Sequence, residues 1–146
     1  MSRWTQFALA VLLLLTCSLA GLARKESLEE LKVKLSSAKL SDQPKICVQI
    51  ARQQLEAMEK TYQEGQTAQA QKLLQEVVNY SQQAGDAARK SGKHIKNTEI
   101  ELRRISRRLQ DLKPTLDVDS RPPVQDAINR LEHIRTQLLM QMFSKD

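Results

Sequence analysis

On either side of a connection marked by Pro114, Pro122 and Pro123, apolar residues recur at alternating steps of three and four. Before it stand Ile95, Thr98, Leu102, Ile105, Leu109 and Leu112; after it stand Val124, Ala127, Ile128, Leu131, Ile134, Leu138 and Met142. Such spacing keeps one side of a helix apolar. Folding the two stripes back on each other pairs Leu112 with Val124, Leu109 with Ala127 or Ile128, Ile105 with Leu131, Leu102 with Ile134 and Thr98 with Leu138. One antiparallel register therefore buries both stripes at once. Strand alternation occurs nowhere, and 4 glycines among 146 residues are too few for a sheet with its turns and a phosphate-cradling loop.

Three further helices are expected upstream. Ser27-Leu28-Glu29-Glu30 has the form of a capping box and opens a short, loosely docked helix with Leu28, Leu31, Leu35 and Ala38 on one face. Ser41-Asp42-Gln43-Pro44 supplies a cap and a first-turn proline for a second, striped by Cys47, Ala51, Leu55, Met58 and Tyr62 and ended by Gly65. Thr67 is placed as the cap of a third, which carries Ala70, Leu73, Leu74, Val77, Tyr80, Ala84 and Ala88 and breaks at Ser91-Gly92, with Gly85 weakening it near its end. The fourth is expected to start near Thr98 in a capping box with Glu101, and the fifth after Asp119-Ser120. The fold class is all-α: a small bundle of about five helices built from two antiparallel hairpins.

Residues 1–23 read as a secretory leader, with Arg3 as the charged start, Phe7 to Leu15 as the apolar run, and small residues up to Ala23. An uncleaved anchor and a lipid-modified Cys17 are the alternatives. The expected division is residues 1–23 as leader, 24–43 as a short helix and linker, and 44–146 as the bundle, in an exported protein that is periplasmic or extracellular. Once the leader is removed, Cys47 is the last cysteine. A lone thiol outside the cytoplasm is either buried or bridges between chains, and the stripe of Ile46, Cys47, Ile50 and Ala51 favours burial.

From Leu55 to Ala84 the residues Leu55, Met58, Tyr62, Gly65, Ala70, Leu74, Val77 and Val78 resemble one tetratricopeptide-type helical hairpin, with an aromatic before the turn, a turn glycine and a small residue after it. The family's bulky early aromatic is absent, with Gln54 and Leu55 standing in its place, and no closing proline follows Ala84. No second copy is present, so a stacked peptide-binding superhelix does not follow. The whole chain also resembles a class of short exported bacterial all-helical proteins with no assigned activity. That resemblance implies a fold and a location.

Charge is unevenly spread. Residues 89–113 hold nine basic residues against Glu99, Glu101 and Asp111, whereas residues 24–88 balance nine against nine. Lys93, Lys96, Arg103, Arg104, Arg107 and Arg108 are the candidate anion-binding residues, because guanidinium forks grip phosphate or carboxylate in pairs of bonds. A solvated, salt-bridged face is the other reading, with Glu99 near Arg103, Asp111 and Asp126 near Arg108, and Glu132 opposite Arg104. Nucleic acid is not expected, since the basic stretch has no aromatic to stack on a base. His94 and His133 have no zinc-ligand spacing, and the carboxylate pairs Glu29/Glu30 and Glu56/Glu59 read as solvated faces. No catalytic, cofactor-binding or metal-ligating set is indicated. The expectation is a non-enzymatic interaction or scaffolding protein with an unknown protein partner and unknown oligomeric state. The alternative is a binder of anionic lipid head groups or acidic polysaccharide through the basic helix face.

Overall fold

The computed structural model describes residues 25–144, and the expected leader with Arg3 and Cys17 lies outside the described residues. The described residues are all-helical, in five α-helices: α1 (Leu28–Ser37), α2 (Gln43–Gln63), α3 (Thr67–Ser91), α4 (Ile95–Leu112) and α5 (Arg121–Phe143). Two single turns of 3₁₀ helix, Lys113–Thr115 and Val118–Ser120, join α4 to α5. None of these helices is long and apolar enough to cross a membrane.

The expected stripes are the core. Leu55, Met58, Val77, Leu102, Ile105, Leu109, Val124, Leu131, Ile134 and Leu138 are buried in one cluster that draws on all four long helices. The α4–α5 register is visible in its polar rungs: Glu99 meets Arg135, Ser106 meets Glu132 and Lys113 meets Gln125, running in opposite directions along the two helices. Helices α2 and α3 form the other hairpin, and α3 also packs against α5. Gly65 turns the first hairpin at φ 76°, in the left-handed region that glycine enters without a Cβ clash.

Helices α2 and α5 start where the sequence reading places them, at Asp42 and after Ser120, though other side chains make the bonds there; the starts of α3 and α4 depart from it. Only the α1 capping box forms as expected: the Ser27 N–H donates to Glu30 Oε2 at 3.0 Å, and the Glu30 N–H donates to Ser27 Oγ at 3.2 Å. Asp42 stands at the α2 cap without a side-chain bond; Gln43 Nε2 instead donates to the Ala38 carbonyl at 3.2 Å. Thr67 lies inside α3, with Gln66 at the cap position. Helix α4 begins at Ile95, so Thr98 is a core residue, 3% exposed, and no Thr98–Glu101 box forms. The cap position falls to His94 at φ 60°. Burial of Ile95 and Thr98 on the apolar stripe draws the helix back past the polar signal. Before α5 the working carboxylate is Asp117, which accepts from the Ser120 N–H and Oγ at 2.9 Å each. These Ser120 bonds hold the Asp117 carboxyl below its ordinary value.

Helix α1 is docked more firmly than its length suggests. Leu31 is buried against Ile46 and Ile50, with Leu28, Leu35 and Ala38 beside them. Gln53 Nε2 donates to the Glu26 carbonyl at 2.8 Å, and Lys25 pairs with Glu56 at 2.7 Å. That Lys25 bond is the largest cause of the lowered Glu56 pKa. Cys47 is buried at 1% exposure, and burial pushes its thiol up to about 11.

Candidate functional site

The basic helix α4 lies in the groove between α2 and α5, with Leu102, Ile105 and Leu109 turned into the core. Its helical pitch then sends the candidate residues to two flanks rather than to one face. Arg104 and Arg108 lie toward α2. Arg108 grips Glu59 with both arms of its fork, Nε donating to Oε1 at 3.1 Å and a terminal nitrogen to Oε2. Arg104 pairs with Glu101, whose other oxygen lies 3.8 Å from Arg52. Arg103 lies on the other flank, 3.5 Å from Glu99.

The flank toward α5 is the drier of the two. The Glu99 side chain is 6% exposed and Arg135 16%. Arg135 donates to Glu99 Oε1 from Nε at 3.0 Å and from a terminal nitrogen at 2.7 Å, and its remaining arm donates to Glu132 at 2.6 Å. Ser106 Oγ closes the set by donating to Glu132 at 2.6 Å. Partial burial would by itself raise the Glu132 carboxyl, but the bonds from Ser106 and Arg135 outweigh it and hold the group below its ordinary value. Burial likewise opposes the Arg135 charge, and the Glu99 and Glu132 bonds raise its pKa above the ordinary one.

Three expected pairings are therefore replaced. Glu132 serves Ser106 and Arg135 instead of Arg104, and Arg108 is taken by Glu59 instead of Asp111 or Asp126. The reason is positional: Arg104 and Arg108 turn toward α2, away from the α5 side chains. Glu59 lies 49 residues before Arg108, beyond the reach of any local spacing rule. Arg135 was legible in principle, since the hairpin register brings it within a turn of Glu99. Of the six candidates, Arg103, Arg104 and Arg108 are engaged by carboxylates. Lys93, Lys96 and Arg107 are exposed and form no ion pair among the described residues.

Two of the surface recesses among the described residues adjoin the long helices α2 to α5. A small open cleft of about 220 Å³ between α2 and α4 is lined by residues including Lys45, Val48, His94, Thr98 and Glu101. Glu99 is not part of that lining and is bonded to Arg135 on the other flank. A larger open groove of about 610 Å³ runs between α3 and α5. Its floor includes Leu74, Val78 and Ala127, and its rim carries Gln71, Gln75, Asp126, Asn129 and Arg130. His133 is an exposed residue bonded to Gln137 at 3.0 Å, and the described residues contain no group of three or more His, Cys, Asp or Glu placed to hold a metal ion. Comparison of the chain with protein-family models, curated proteins and solved structures gave no match.

Proposed function

We propose that the chain is an exported, non-catalytic interaction protein that seats a segment of a protein partner in the groove between α3 and α5. The observation that carries this reading is the construction of that groove, an apolar floor with a rim of side-chain amides and both signs of charge. The floor side chains Leu74, Val78 and Ala127 are 4%, 3% and 3% exposed, so the groove offers a partner chiefly hydrogen bonds and charge pairs from its rim, the polar layout of a non-obligate protein interface. The α2–α3 hairpin is in keeping with the tetratricopeptide-type unit, with Tyr62 and Ala70 buried on either side of Gly65. Removal of residues 1–23 belongs to the same reading.

The experiment is photo-cross-linking from the rim in the envelope fraction of the source cells, with the reagent at Gln75 or, as comparison, at Val33 on α1. A discrete protein adduct from Gln75, absent from Val33 and lost on Arg130→Glu, is the expected result. No adduct, or equal adducts from both positions, would remove the groove reading. The mass of the recovered protein reports separately on the leader. A second reading, anion binding through Lys93, Lys96, Arg103, Arg104, Arg107 and Arg108, draws support from the exposed Lys93, Lys96 and Arg107.

A further inference from the structure

The four long helices alternate in direction. The start of α2, the end of α3, the start of α4 and the end of α5 therefore meet at one end of the bundle. Two contacts fix this arrangement: Lys45 and Val48 share a cleft with His94 and Asn97, and Gln141 Nε2 donates to the Arg89 carbonyl at 3.1 Å. Lys39, in the turn before α2, joins the same end.

This end is strongly basic. Lys39, Lys45, Lys90, Lys93 and Lys96 are all exposed, and none forms an ion pair among the described residues. The carboxylates near them are largely committed: Asp86 faces Arg89, Glu99 binds Arg135 and Glu101 binds Arg104. Among the described residues, Asp42 is left as the exposed counter-charge. The opposite end is balanced, with Glu59, Glu64, Asp111, Asp117, Asp119 and Asp126 set against Lys60, Lys72, Arg107, Arg108, Lys113 and Arg121. Three exposed apolar side chains accompany the lysines: Leu40 at 42%, Met140 at 60% and Phe143 at 74% exposure.

We propose that the lysine-bearing end of the bundle docks on the surface of an anionic phospholipid bilayer. The ammonium groups meet lipid phosphates, and Met140 and Phe143 enter the headgroup boundary. Charge complementarity selects an anionic partner. The accompanying apolar side chains select a bilayer over a soluble polyanion, because a bilayer offers both a charged layer and an apolar edge within a few ångströms. The lysine stems add to that apolar contact while their heads stay hydrated. This surface is separate from the α3–α5 groove, so either can fail without the other.

The test uses the full chain with Trp4→Phe, leaving no native tryptophan, and reads position locally so that residues 1–24 do not decide the outcome. Phe143→Trp reports from the lysine end and Val118→Trp, also at an exposed apolar site, from the opposite end. With vesicles of phosphatidylglycerol and phosphatidylcholine bearing brominated acyl chains, the Phe143→Trp probe is expected to be quenched and the Val118→Trp probe spared. Pure phosphatidylcholine vesicles should not quench either. Each lysine should contribute about fivefold to the docking equilibrium. Quenching should therefore vanish in the Lys39→Gln/Lys45→Gln/Lys93→Gln/Lys96→Gln chain and weaken steeply with salt. Equal quenching of both probes, or quenching that survives the four changes, overturns the proposal. So does an unquenched Phe143→Trp probe in a chain whose lysines bind soluble polyglutamate, which would assign the surface to an acidic polypeptide.

Discussion

The two flanks of α4 use the same chemistry in different surroundings. Toward α2, the Arg108–Glu59 fork has side chains 41% and 23% exposed. Toward α5, Arg135 and Glu99 are 16% and 6% exposed. Water screens the first pair and leaves it a modest contributor. In the second, each charge depends on its partner, because neither can recover its hydration while the helices stay packed. Helix α4 is therefore fastened to α5 by a contact that is costly to half-remove, and to α2 by one that is easily replaced.

The largest test of this contrast is Arg135→Leu, which leaves Glu99 buried with only the longer Arg103 contact. Urea unfolding followed by circular dichroism should lose about 3–5 kcal/mol; a loss under about 1 kcal/mol would show the α5 flank to be as wet as the other. Next comes Gly85→Ala, where α3 crosses α5 and a Cβ would run into the Cγ2 methyl of Ile134. Despite alanine's better helix propensity, thermal unfolding should register a loss of about 1–3 kcal/mol, and a gain would mean that the crossing is loose.

Smaller effects follow from acid. The folded-state pKa of Glu132 is lowered, so the bonds from Ser106 and Arg135 stabilise the protein above the ordinary carboxylate range and are lost as the pH falls through it. Glu132→Gln should flatten the fall in stability between about pH 5 and pH 3, leaving the contributions of Glu56 and Asp117 in place. An unchanged slope would show that Glu132 is not part of the seam's acid response. The smallest effect belongs to the α2 flank, where Glu59→Gln should cost under about 1 kcal/mol and shrink further in high salt. A larger cost would make the two flanks equivalent.

What the sequence made legible is what depends on helical pitch. The stripes from Ile95 to Leu112 and from Val124 to Met142, and their shared register, follow from period and chain direction alone. The cap signal at Thr98 misleads because a local hydrogen-bond signal competes with burial, and burial of Ile95 and Thr98 carries more free energy than one exposed cap bond. Asp42, by contrast, does mark the start of α2, and Thr67 misses that of α3 by one residue. Gly85 looks like a weak point in a helix until α5 lies across it. Arg108 looks unmatched until α2 brings Glu59 beside it. Both are consequences of which helix neighbours which, and no spacing within one helix contains that information. The gathering of lysines from two separate stretches, residues 39–45 and 90–96, at one end is hidden for the same reason.

The burial of Cys47 also makes it a reporter. Its thiol stays protonated at neutral pH and sealed beneath α1 and α3, so oxidants and alkylating reagents can reach it only during excursions in which the helices part. Its rate of labelling would then time how often this small bundle breathes open.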